Sequence, residues 1–160
     1  MSAPVVPVNV QVPADAAAPV VADLTVHAIR VAHIWRRDVE RLPVDDWSVP
    51  GVYVLLAAGQ CPEVYVGKAV ELCNRLLQHR VTPRIDWQRA VAIKRYTSHG
   101  FKRAEIGYLE ARVASELRTI PGLTAVEAIR RGTKRFRSFR GCCWLRPGAP
   151  FGKGVSLGRL

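Results

Sequence analysis

Residues 51–80 read GVYVLLAAGQCPEVYVGKAVELCNRLLQHR, and this stretch decides the fold. Val52, Val54, Leu55 and Leu56 in its first run, and Val64 and Val66 in its second, favour extended backbone, because branched side chains fit a pleated surface. Gly59-Gln60-Cys61-Pro62 between them is the punctuation of a hairpin. After Gly67 the period changes: Leu72, Cys73, Leu76 and Leu77 recur at helical spacing, which predicts a helix starting near Val70. The reading is strand, turn, strand, helix, with two tyrosines and several basic residues where the second strand meets the helix.

Upstream, residues 1–24 are rich in Ala, Val and Pro and carry no Lys or Arg. Pro4, Pro7, Pro13 and Pro19 interrupt any helix, so a flexible or extended tail is expected. Leu24, Val26, Ala28 and Val31 fit an edge strand within Asp23 to Ile34, and Asp45 to Pro50 reads as a loop. Downstream, Pro83 breaks the chain, and WQRAVAIKR from Trp87 to Arg95 predicts a third strand. Lys102 to Arg118 is the clearest helix, because Ile106, Leu109, Val113 and Leu117 form an apolar stripe at spacings of three and four. Pro121-Gly122 ends it, and Thr124 to Arg131 is read as a short helix. The expected class is α/β in the α+β sense: a small three-stranded mixed sheet flanked by the 70–80 and 102–118 helices.

With 160 residues the chain suffices for one compact domain plus tails. The division expected is a tail at 1–24, a domain at 25–127 with its core at about 50–120, and a basic extension at 128–160. The net charge of +11 favours acidic partners such as nucleic acid. From Ala128 onward there are nine basic residues and no acidic one. Arg130, Arg131, Lys134, Arg135, Arg137 and Arg140 crowd one run with Phe136 and Phe139 between them, a pattern that can neutralise phosphates and stack on bases or form a solvated basic tail. No run of eighteen apolar residues predicts a membrane span, and the N-terminus lacks the basic start of a signal peptide. Cys61, Cys73, Cys142 and Cys143 show no metal or disulfide pattern and read as reduced thiols of a cytoplasmic protein, nucleoid-associated in a bacterium.

Each polar residue of the central stretch has a plain reading beside a chemical one. Tyr53 and Tyr65 suit strand packing. Arg75 stands four after Glu71 and can pair with it, for about 0.3–0.5 kcal/mol at a surface. His79 shares a helix face with Arg75. Glu110 sits beside the stripe residue Leu109, while Glu105 complements a helix start and Glu116 reads as solvated.

Taken together these residues resemble the GIY-YIG nuclease superfamily. Gly51-Val52-Tyr53 is similar to its GIY element and Tyr65-Val66-Gly67 to its YIG element. Lys68 follows, Arg75 stands ten residues after Tyr65, and His79 lies one turn further on, as in that family. Tyr108-Leu109-Glu110 resembles the helix that carries the family's metal-binding glutamate. The resemblance spans about residues 50–120 and implies an endonuclease cutting phosphodiester bonds in DNA with Mg2+ or Mn2+ and no organic cofactor. It implies that Tyr53 takes a proton from the attacking water or positions it, and that Tyr65 orients water or phosphate. Arg75 would stabilise the developing charge, His79 assist proton transfer or bind phosphate, Glu110 hold the metal, and Lys68 tune Tyr53. Gly51 and Gly67 would keep the strand–helix crossing clear. One departure is visible: the family's downstream asparagine has no counterpart, since Asn9 and Asn74 are the chain's only asparagines. A non-catalytic nucleic-acid binder with the same fold is the alternative reading.

Overall fold

A computed structural model describes residues 5–59, 62–97 and 100–126. Among them seven strands form one sheet: β1 (Asn9–Gln11), β2 (Val20–Leu24), β3 (Ile29–Trp35), β4 (Gly51–Ala57), β5 (Glu63–Ala69), β6 (Arg89–Arg95) and β7 (Thr124–Val126). Three α-helices accompany it: the single turn α1 (Val44–Trp47), α2 (Leu72–Val81) and α3 (Arg103–Arg118). The strand order is β1-β2-β3-β6-β4-β5-β7. All neighbours are antiparallel except β5 and β7, which run parallel, so the sheet is mixed.

The α+β class holds, but the three-stranded sheet does not. The expected strands are its middle, β6-β4-β5, and the sheet continues past both sides. The stretch expected as a flexible or extended tail supplies β1 and β2, with Asn9 opposite Asp23 and Val21 opposite Ala32. Its prolines are no obstacle, because Pro7, Pro13 and Pro19 all fall outside the paired residues. The expected edge strand is split by a 3-10 turn at Thr25–His27, with Ala28 in the left-handed region at φ 51°. Its second half, β3, is interior, between β2 and β6. Instead of a helix, Thr124 starts a strand on β5, and the rest of the expected 124–131 helix lies outside the described residues. So do Arg130, Arg131, Lys134, Arg135, Arg137, Arg140, Cys61, Cys142 and Cys143.

Strand side chains alternate between two faces. One face buries Ala32, Ile34, Tyr53, Leu55, Tyr65, Ala90 and Ala92 under Leu72, Cys73 and Leu76 of α2 and the indoles of Trp47 and Trp87. The other buries Val52, Val54, Val64 and Val66 under Ile106, Leu109 and Val113 of α3, the stripe read from the sequence. Each of these aliphatic burials contributes about 1.5–3 kcal/mol. The α3 start is held by Glu105, whose carboxylate accepts the Lys102 backbone N–H at 2.7 Å. No helix among the described residues is long and apolar enough to cross a membrane.

Candidate active site

Tyr53 lies opposite Gly67 across the β4–β5 ladder. The missing side chain at Gly67 is what admits the phenol: a Cβ there would stand 2.5 Å from Tyr53 Cζ and closer still to the hydroxyl oxygen. Gly51 serves the crossing in the same way, since a Cβ would meet Leu72 Cδ1 at 2.5 Å and press on the Ile93 carbonyl. Tyr53 is fully buried. Its ring forms a triangle with those of Tyr65, at 6.2 Å, and His79, at 5.3 Å, and the last two stand 5.5 Å apart.

α2 delivers Arg75 and His79 to the same hydroxyl because they are one turn apart on one face. Tyr53 Oη and His79 Nε2 are hydrogen-bonded at 2.8 Å, and Arg75 Nε donates to Tyr53 Oη at 3.3 Å. Arg75 Nη1 donates to Gln78 Oε1 at 3.1 Å, which fixes the plane of the fork. Glu71 instead accepts from the Asn74 amide, so the plain Glu71–Arg75 pairing is not formed. His79 is buried, and its backbone carbonyl accepts the Trp87 indole N–H at 3.1 Å. Its Nδ1 has no hydrogen-bond partner among the described residues.

The electrostatics of the trio decide the state of Tyr53. Burial raises the Tyr53 hydroxyl well above the ordinary tyrosine range, and the Arg75 hydrogen bond only partly offsets it. Tyr53 is therefore a neutral phenol at pH 7, not a cation-stabilised phenolate. His79 is pushed down to about 4 by burial first, then by the charges of Arg75 and Arg84, so its imidazole is neutral. Arg75 is held charged, chiefly by its bond to Tyr53. At neutral pH the trio is two neutral rings beside one charged guanidinium, with the His79 imidazole as a nitrogen base that burial keeps weak.

Lys68 is not part of that trio. It follows Gly67 on β5 and so points to the opposite face, where its Nζ pairs with Glu110 of α3 at 2.7 Å. The role expected for Lys68 as a tuner of Tyr53 has no contact behind it, because sequence adjacency in a strand separates side chains across the sheet. Glu105 and Glu116 are engaged elsewhere, with Arg95 and with Arg112. Glu110 is thus the carboxylate beside the strand that carries Gly67. Among the described residues no group of three or more His, Cys, Asp or Glu converges as a metal cage. A lone carboxylate with a partly exposed side chain suits an ion that keeps most of its waters and takes substrate oxygens, as magnesium does. Such an ion would displace the Lys68 ammonium.

The residues read from the sequence therefore fall into two groups: Tyr53, Tyr65, Arg75 and His79 on one face, Lys68 and Glu110 on the other. Gln78 was not foreseen, though its place three residues after Arg75 on one helix was the available signal. Comparison with protein-family models, curated proteins and solved structures gives no match.

Proposed function

We propose that this chain is a metal-dependent endonuclease of the GIY-YIG type that hydrolyses phosphodiester bonds in DNA. The observation that carries this reading is the Tyr53 hydroxyl, seated over Gly67 and shared by His79 Nε2 and Arg75 Nε. Hydrolysis of a phosphodiester needs a proton acceptor for the attacking water and a cation for the charge that grows on phosphorus oxygens. Neutral His79 accepts the Tyr53 proton, and Tyr53 in turn accepts one from water. Arg75, bonded to Tyr53 and Gln78 and held charged by the Tyr53 and Tyr65 hydroxyls, offers its planar fork to a non-bridging oxygen. Tyr65 packs on both Tyr53 and His79 and holds their rings in register. Glu110 would hold the magnesium or manganese ion, which supplies Lewis acidity when bound.

The test is supercoiled plasmid incubated with the full chain, with and without Mg2+ or Mn2+, beside Glu110→Ala and Arg75→Ala. Metal-dependent nicking lost in both variants supports the nuclease. Two observations favour the second reading, a nucleic-acid binder without catalysis: Lys68 holds the carboxylate the metal needs, and Tyr53 is fully buried. That reading predicts intact plasmid and tight, salt-sensitive binding shared by all three proteins.

A further inference from the structure

α3 covers only part of its face of the sheet. It packs on β4, β5 and β7. On the same face, β3 presents Val31, His33 and Trp35, and β6 presents Ile93, side by side in register. None of these four belongs to either buried core. Trp35 is 41% exposed, unlike Trp47 and Trp87, which are at most 1% exposed.

The surroundings of Trp35 decide what this face suits. Arg89 lies directly across the ladder, with its guanidinium 5.5 Å from the Trp35 ring centroid. Arg37 approaches the same ring at 5.8 Å, and His33 meets it edge-on at 6.0 Å. Burial and then the charge of Arg89 hold His33 below its ordinary range, so the ring is uncharged at neutral pH. Arg95 continues the row on β6, tied to Glu105 at 3.6 Å. An exposed indole with arginines on it, beside an apolar strip, matches an occupant with flat rings on a polyanionic chain.

Two other occupants meet a charge conflict. A second copy related by two-fold symmetry would bring Arg37 and Arg89 against their own equivalents. Residues 128–160 of this chain carry nine basic residues and no acidic one, so they too add positive charge to positive charge.

We infer that the exposed β3–β6 face around Trp35, Arg37 and Arg89 binds single-stranded nucleic acid, with a base stacked on Trp35 and backbone phosphates on the arginines. This surface lies on the opposite face from the Tyr53 hydroxyl, and Trp35 on β3 is three strands away from β5, about 14 Å at the usual strand spacing. Its role goes beyond the nuclease reading and does not depend on cleavage.

The experiment is fluorescence anisotropy of labelled oligodeoxythymidine, oligouridine and a duplex of equal length, with the full chain in EDTA so that nothing is cut. Trp35→Ala should weaken binding of a single strand by about 5- to 150-fold, as removal of one stacking platform does. Trp35→Phe, which keeps a ring on the same backbone, should restore most of it, and duplex affinity should change far less. The two single-stranded probes distinguish DNA from RNA as the source of the bases. Arg89→Gln should reduce the salt slope by about 0.7 for each phosphate of a single strand that is no longer neutralised. The inference is overturned if Trp35→Ala binds a single strand as the unaltered chain does, or weakens single-strand and duplex binding equally. It is also overturned if Trp35 proves shielded from iodide quenching in the free chain, which would mean that residues 127–160 or a second copy already cover it. Loss of plasmid nicking alone leaves it standing.

Discussion

Replacing Gly67 by alanine tests the geometry on which the active-site reading depends. The new Cβ would stand 2.5 Å from Tyr53 Cζ, far inside carbon–carbon contact. Tyr53 has no room to yield. It is fully buried, and the rings of Tyr65 and His79 pack against it. Gly67 cannot easily move either, because it pairs with Tyr53 itself in the β4–β5 ladder. Overpacking of this kind costs about 1–3 kcal/mol. Displacing the phenol weakens its hydrogen bonds to His79 and Arg75, each worth about 1 kcal/mol. The expected loss is about 2–4 kcal/mol, which lowers Tm by about 5–15 °C in a chain of this length. Activity should fall further than stability. A shift of about 1 Å in a proton-transfer group costs about 100-fold in rate. Thermal unfolding by circular dichroism reads the first quantity, and plasmid nicking well below Tm reads the second. A variant with unaltered Tm and nicking would show that the hydroxyl is not pinned over Gly67, and the proposed proton path would fall with it.

Gly107 provides the contrast. A Cβ there would meet Lys68 Nζ at an ordinary 3.7 Å, inside α3, so Gly107→Ala should stabilise by up to about 1 kcal/mol in the same unfolding assay. His79 makes stability pH-dependent. Its folded pKa of about 4 lies below the unfolded 6.5, so its contribution is complete above pH 6.5 and is lost as pH falls towards 4. The full span is about 3 kcal/mol, and urea titrations should show His79→Gln with a flatter slope in that window. Lys68→Met should tighten Mn2+ binding several-fold by calorimetry, because it removes the ammonium 2.7 Å from Glu110. Glu110→Gln should abolish that binding, and a Lys68→Met chain with unchanged Mn2+ affinity would show that the pair does not guard the site.

The central hairpin and its helix were legible because their signals are local. The turn of period at Gly67 and the stripe at Leu72, Cys73 and Leu76 each act within a few residues. Arg75 and His79 converge on one hydroxyl for the same reason, a helical spacing of four. The outer strands were not legible, since their stability comes from pairing across distance. Nothing near Val20–Leu24 announces that Ala32 will lie beside Val21, and the prolines of that stretch argue for a tail unless their positions at strand ends are known. The state of Tyr53 was not legible for a related reason. Counting nearby cations favours a phenolate, whereas burial, which a sequence does not display, opposes it and wins. The separation of Lys68 from Tyr53 follows from a rule that was available: one step along a strand changes face.

The change of face between Gly67 and Lys68 constrains how any substrate must lie. The two residues are consecutive, yet the Tyr53 hydroxyl sits over one face and the Lys68–Glu110 pair over the other. A single phosphate can approach both only where the sheet stops. β7 pairs with Glu63, Val64 and Tyr65 alone, so among the described residues Val66 to Ala69 have β4 on one side and no strand on the other. Under the nuclease reading the scissile phosphate would therefore straddle this open edge of β5, with Arg75 on one face and Glu110, which would hold the ion, on the other. The edge backbone then becomes part of the site, and its N–H groups are available as further donors to phosphate oxygens. The Lys68–Glu110 pair acquires a purpose in the same geometry. An arriving phosphate offers Lys68 a second anion, which loosens its hold on Glu110 as the metal's own phosphate ligand arrives. Metal affinity should accordingly rise when a phosphodiester is present and lose that dependence in Lys68→Met. Calorimetric titration of Mn2+ with and without a short thymidine oligonucleotide carrying non-hydrolysable linkages decides it, and equal enhancement in both proteins would place the coupling elsewhere.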